Sequence, residues 1–95
     1  MTIEYEKLFL KQRAKIEAKE LLEPRKIDNT IEQFENDIQH VSLSFKKITC
    51  KYDKFKHSIR IGNTGYRILM SIRDKIAYFQ QVIDHDKYDR LTKDC

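Results

Sequence analysis

The sequence predicts an all-α fold, an antiparallel three-helix bundle built around one long central helix. Two observations carry that expectation. Gly and Pro are scarce, two and one in 95 residues, while 36% of the side chains are charged and 40% hydrophobic, a balance that suits helices better than a turn-rich β-sandwich. Between Ile27 and Gly62, large apolar residues fall at Ile27, Ile31, Phe34, Ile38, Val41, Phe45, Ile48, Tyr52, Phe55 and Ile59 in alternating steps of four and three, the spacing of one helix face.

The first helix is expected over about 3–22. Thr2 can cap it, and Glu4 and Glu6 place negative charge where the exposed N–H groups and dipole of a first turn favour it. Pro24 lacks an N–H and disfavours helical geometry at Glu23, so the helix should stop there. The ladder Lys7, Lys11, Lys15 and Lys19 reads as a solvent-facing stripe on it. A second helix is expected over 28–61, with Asp28, Asn29 and Thr30 as cap candidates, "TIEQ" at capping-box spacing, and Gly62 as its stop. That is about 50 Å of helix at 1.5 Å per residue. A third helix follows over 65–85, capped by Thr64 and carrying Leu69, Ile72, Ile76, Phe79 and Ile83 on one side, and 86–95 is a polar tail.

The alternative is an α+β fold with a small antiparallel sheet from about 40–68, flanked by N- and C-terminal helices. "HVSLSF" alternates with period two, "ITCKY" is rich in β-formers, and "SIRIGNTGYRI" resembles two strands around a Gly-Asn-Thr-Gly loop. Helix is favoured over it because no Gly, Pro or Asn interrupts Ile38 to Ile61, so a hairpin inside that segment would lack the usual turn residues.

Ninety-five residues give room for one domain, 1–95. No run of about 18 apolar residues exists and the N-terminal stretch is not a signal peptide, so a cytoplasmic protein with no membrane association is expected. Cys50 and Cys95 fit no CxxC pattern and read as free thiols. No common catalytic motif is present, and no cofactor is expected. His85 has only Asp89 one helical turn away, too little for a metal site. The expectation is therefore a protein that is not an enzyme.

The cations are unevenly spread. From Lys46 to Arg60 there are Lys46, Lys47, Lys51, Lys54, Lys56 and Arg60 against one Asp53, while the whole chain is only +4. Such a field reads first as the solvated face that any soluble helix carries, and as a functional surface it suits an acidic protein or phosphates. On a helix, Lys47, Lys51 and Lys54 would share a face, with Tyr52 and Phe55 turned into the core. The leading functional expectation is a small non-enzymatic module that binds another protein with an acidic surface, as an inhibitor, an immunity or antitoxin-like factor, an adaptor or a chaperone. A long apolar seam left partly uncovered by two shorter helices would also favour a homodimer. The alternative is a nucleic-acid-binding regulator that uses Lys46–Arg60.

Overall fold

Thr2–Tyr5, expected to open a helix, instead form strand β1 in the computed structural model, which describes Met1–Cys95. The remaining order is α1 (Lys7–Ala18), α2 (Pro24–Asn36), a 3-10 turn (Val41–Leu43), β2 (Lys46–Lys47), β3 (Lys56–Arg60), β4 (Tyr66–Arg73), β5 (Ile76–Asp84) and α3 (His85–Lys93). The five strands make one sheet in the order β1-β5-β4-β3-β2, with β1 parallel to β5 and the other pairs antiparallel. The fold is thus α+β, and the three-helix bundle is corrected. Helices 3–22, 28–61 and 65–85 are replaced by the elements above, and the tail 86–95 is mostly helix.

Pro24 does punctuate the chain between the first two helices, but it opens the second rather than closing the first. α1 ends at Ala18 with Glu20 in the left-handed region (φ 54°), and Leu21 N–H donates to the Ile16 carbonyl. Pro24 then occupies the first turn of α2, where its fixed φ is helical and its missing N–H costs nothing. Ile27, Ile31 and Phe34 belong to the buried stripe of α2, so the four-three spacing is genuine over that stretch.

Beyond Asp37 the spacing continues without a helix beneath it. Val41 and Tyr52 are 87% and 79% exposed, whereas Ile59 is fully buried in β3. The sheet's turns lie where the helical reading placed caps. Gly62 (φ 50°) and Gly65 (φ 83°) shape the β3–β4 loop, and Thr64 Oγ1 donates to the Ile61 carbonyl and accepts from Tyr66 N–H. The β4–β5 hairpin turns on Asp74 and Lys75, both at positive φ, between the paired residues Arg73 and Ile76.

Strand alternation sorts the chain into two faces. Ile59, Ile68, Met70, Ala77, Phe79 and Val82 point toward α1 and α2 and meet Phe9, Ile16, Ile27, Ile31 and Phe34 there. Phe79 is the hub, with ring centroids 5.6 Å from Phe9, 5.4 Å from Phe34 and 5.7 Å from Tyr5. The β4–β5 register skips Gln80. Gln12 of α1 closes the resulting irregularity, donating to Gln81 Oε1 (3.1 Å) and accepting from Val82 N–H (2.8 Å).

The opposite face of the sheet carries no layer of α1 or α2. Only α3 lies on it, at the end where β4 begins and β5 ends, with Tyr88 packed against Ile48, Leu69 and Ile83. Cys50 and Cys95 are joined in a disulfide, which corrects the expectation of free thiols; their Cα atoms are 4.4 Å apart across 45 residues of sequence. The two cysteines meet because α3 folds back over the segment leaving β2, a proximity that no spacing rule for cysteines encodes. Closing a loop of that length removes about 4 kcal/mol of unfolded-chain entropy. No helix is long and apolar enough to cross a membrane.

Candidate nucleic-acid interface

Directly paired residues of an antiparallel ladder project to the same side, so the registers define the open face row by row. Lys46 lies beside Ser58 and Leu69; Arg60 beside Arg67 and Ile83; Lys56 beside Ser71 and Tyr78. Arg73, two residues on from Ser71, shares the face. Glu4 of β1 pairs with Tyr78 and supplies a carboxylate only at the far edge. None of Lys46, Lys56, Arg60, Arg67 and Arg73 forms an ion pair.

Two hollows open on this face. The larger, about 510 Å³, is bounded by the loop that precedes β3 and by β4 and β5. Lys51, Lys54 and Arg73 bring positive charge to it, and Tyr52 and Phe55 bring aromatic rings. Lys51 Nζ sits 5.1 Å from the Tyr52 ring centroid, Lys54 Nζ 5.5 Å from Phe55, and the Arg73 guanidinium 4.7 Å from Tyr78. Asp53 is occupied locally: its Oδ1 accepts from Phe55 N–H (2.9 Å) and from Ser71 Oγ (3.3 Å). Lys56 Nζ donates to Gln80 Oε1 at 2.7 Å, so the residue the register skips fixes a cation on the floor of the face.

The second hollow, about 360 Å³, lies between β2 and α3 and is lined by Lys46, Lys47, Thr49, Tyr88 and Asp89 among others. Tyr88 is its fixed wall. Its hydroxyl lies 3.0 Å from Ser58 Oγ, and its ring takes the Arg67 guanidinium at 4.8 Å and Lys46 Nζ at 5.8 Å. Arg67 Nε is buried with no hydrogen-bond partner, and the ring offers that one orphaned donor partial compensation. Asp89, which lines this hollow, has its Oδ2 3.2 Å from His85 Nε2 one turn earlier on α3, both half exposed. No group of three His, Cys, Asp or Glu side chains is placed to hold a metal ion.

The structure separates the sequence-predicted residues. Lys46 and Lys56 reach the open face, Arg60 stands at its edge by register and also borders a hollow beside Asn29, Thr30 and Gln33 of α2, and Lys51 and Lys54 border the larger hollow. Lys47 pairs with His57, whose ring stacks on Phe45 on the helix side, and borders only the second hollow beside α3, so the shared helical face of Lys47, Lys51 and Lys54 is corrected. Tyr52 and Phe55 are surface residues, 79% and 41% exposed, not core. Arg67, Arg73, Tyr78 and Tyr88 were missed. The signal for the two arginines is the period-two alternation of "YRILMSIR", which aligns Arg67, Leu69, Ser71 and Arg73 once the segment is read as a strand.

No known protein family matches the sequence, and no curated protein matches it. Solved structures do. YafQ from E. coli superposes with a TM-score of 0.71 at 15% identity, over 90% of this chain and 94% of that one. A copper-bound mutant toxin from Helicobacter pylori gives 0.74 at 11% identity, over 92% and 97%. The RelB–RelE antitoxin–toxin complex from Methanococcus jannaschii gives 0.59 at 21%, over 90% and 95%. YafQ is also solved in a toxin–antitoxin complex with DinJ. The expectation of a protein that is not an enzyme, drawn from the absence of common catalytic motifs, is corrected on this finding, because the fold is that of the toxins YafQ and RelE. The expectation of a protein partner has its counterpart in these neighbours, which are solved in complex with antitoxin proteins. At these identities the likeness establishes that the chain shares their fold.

Proposed function

We propose that this chain is the toxin of a toxin–antitoxin pair, one that binds single-stranded RNA across the open face of its sheet, severs it, and is silenced by an antitoxin protein. The observation that carries the reading is the set of unpaired cations on that face, Lys46, Lys56, Arg60, Arg67 and Arg73, bordered by Lys51 and Lys54. Phosphates neutralise such a field and release their counterions, and exposed rings at Tyr52 and Phe55 offer stacking surfaces that tolerate any base.

RNA fits the chemistry better than DNA. Its 2′-hydroxyl can attack the adjacent phosphorus and break the P–O5′ bond, leaving a 2′,3′-cyclic phosphate and a 5′-hydroxyl. One proton must leave the nucleophile and one must reach the departing oxygen. His85, oriented by Asp89 beside the second hollow, is the side chain suited to moving those protons. Lys46 and Arg67, which flank the Tyr88 ring, would offset the charge that develops on the phosphoryl oxygens once they turn from the ring to the face.

The silencing partner follows from the same charge. An antitoxin segment rich in Asp and Glu would meet the cations that otherwise meet phosphate, a reading supported by the unpaired cations of the open face. The test is controlled expression in a bacterial host. Growth arrest with new 5′-hydroxyl ends in cellular RNA is the expected result, with both lost in His85→Ala while single-stranded RNA binding persists. Normal growth and intact RNA, together with no binding of purified protein to single-stranded RNA at about 50 mM salt, overturn the proposal.

A further inference from the structure

We infer that the Cys50–Cys95 disulfide is a redox latch that holds α3 over one end of the open face. The helix has nine residues, below the length at which an isolated helix is stable in water. Its hold on the sheet is narrow: Tyr88 is its one buried residue, and Leu91 is 39% exposed. The Asp84 cap on Lys87 N–H and the Thr92 bond to the Tyr88 carbonyl are local to the helix and do not tie it down. Two ties reach across from its far end, the disulfide and the hydrogen bond from Lys51 N–H to the Cys95 carbonyl at 3.3 Å, and both converge on the segment that follows Ile48.

What the helix covers gives the latch a consequence. Tyr88 sits on Ser58 and Leu69 and draws the Lys46 and Arg67 side chains against its ring. A dithiol reductant would attack one sulfur, pass through a mixed disulfide, and leave as its own cyclic disulfide. Its two electrons and two protons become the thiols of Cys50 and Cys95. With the covalent tie gone, α3 opens locally far more often, and Lys46 and Arg67 are released to the face. An excess of an oxidised disulfide reagent runs the exchange in reverse, taking those two electrons and two protons as its own thiols, and restores the closed form.

Amide hydrogen exchange of the full chain, oxidised and after dithiol reduction, is the direct test. Residues 85–93 should exchange at least about tenfold faster in the reduced protein, with β4 and β5 unchanged and protection restored on reoxidation. The variant carrying both Cys50→Ser and Cys95→Ser should match the reduced protein and be indifferent to the dithiol. Equal exchange in the two redox states, or two free thiols titrating in the oxidised protein, overturns the latch, and neither readout depends on the variant folding.

A second measurement rests on the proposal that the open face binds RNA. Two more phosphate contacts in the reduced protein should steepen the slope of log affinity against log salt by about 1.4 for a single strand. RNA bound with the same affinity and slope in both states overturns the gating of the face. Faster exchange with no RNA bound in either state supports the latch and counts against the RNA reading alone.

Discussion

The Tyr88 hydroxyl lies 3.0 Å from the Ser58 hydroxyl, joining the last helix to the centre of the sheet through two residues that are 4% and 0% exposed. Neither hydroxyl has water to turn to. Tyr88→Phe keeps the ring on Ile48, Leu69 and Ile83 but leaves Ser58 Oγ without its partner, at a cost of about 1–3 kcal/mol. Ser58→Ala in the same chain should recover part of that loss, because an apolar pair leaves nothing unsatisfied. Urea unfolding of both single variants and the double variant measures the coupling. Independent, additive losses would mean that the two hydroxyls do not interact.

On the open face the prediction concerns charge placement rather than charge amount. Lys51→Glu, Lys54→Glu and Arg73→Glu together remove the cations of the larger hollow. Single-stranded RNA binding should fall, and the salt slope should decrease by about 2 for three phosphates lost. Lys7→Glu, Lys11→Glu and Lys15→Glu change net charge by the same amount on α1, away from this face. A deficit of equal size in that second variant would show that RNA answers to overall charge and not to this face.

How much of this fold was legible turns on the difference between steps of four and steps of three. Residues four apart share a face on a helix and on a strand alike, so those steps could not discriminate. Only the steps of three were diagnostic, and in the structure one holds. Ile31 and Phe34 are both buried in α2, whereas Val41, Tyr52 and Phe55 are exposed and Ile48 belongs to the small cluster under Tyr88. The α+β alternative placed β3 and its Gly-Asn-Thr-Gly turn correctly, but it ended the sheet near residue 68 because Leu69, Ile72, Ile76, Phe79 and Ile83 read as one face of a C-terminal helix. The site inherited that limit. Lys46, Lys56 and Arg60 were visible as a basic run, while Arg67 and Arg73 stayed hidden inside a segment read as helix.

Tyr5 gives the protein an alkaline liability. Burial is the main reason its phenol ionises above the ordinary value near 10, the Glu35 carboxylate adds to the shift, and Arg13 opposes it. A folded state that holds the proton more tightly than the unfolded chain loses stability as pH rises. The contribution of neutral Tyr5 is therefore complete below about pH 10 and disappears as pH climbs through its raised value. Tyr5→Phe removes the titration, and its unfolding midpoint in urea should fall less steeply than that of the parent above about pH 10. Parallel decline of the two proteins would assign the alkaline loss to other groups.

The β4–β5 hairpin offers the opposite case, a place where the native residues cost stability. Asp74 (φ 52°) and Lys75 (φ 65°) both occupy the left-handed region between the paired residues Arg73 and Ile76. A two-residue connection with two positive φ angles is the geometry for which Asn-Gly is preferred, since Asn tolerates that region and Gly has no Cβ to clash. Lysine has neither advantage. Lys75→Gly relieves a strain of about 1–2 kcal/mol and returns part of it as extra freedom of the unfolded chain, so a net gain of about 0.5–1 kcal/mol is expected when it is combined with Asp74→Asn. Neither side chain makes an ion pair that the change would forfeit. The midpoint of thermal unfolding should rise by a few degrees, and a fall instead would place residues 74–75 in some other backbone conformation.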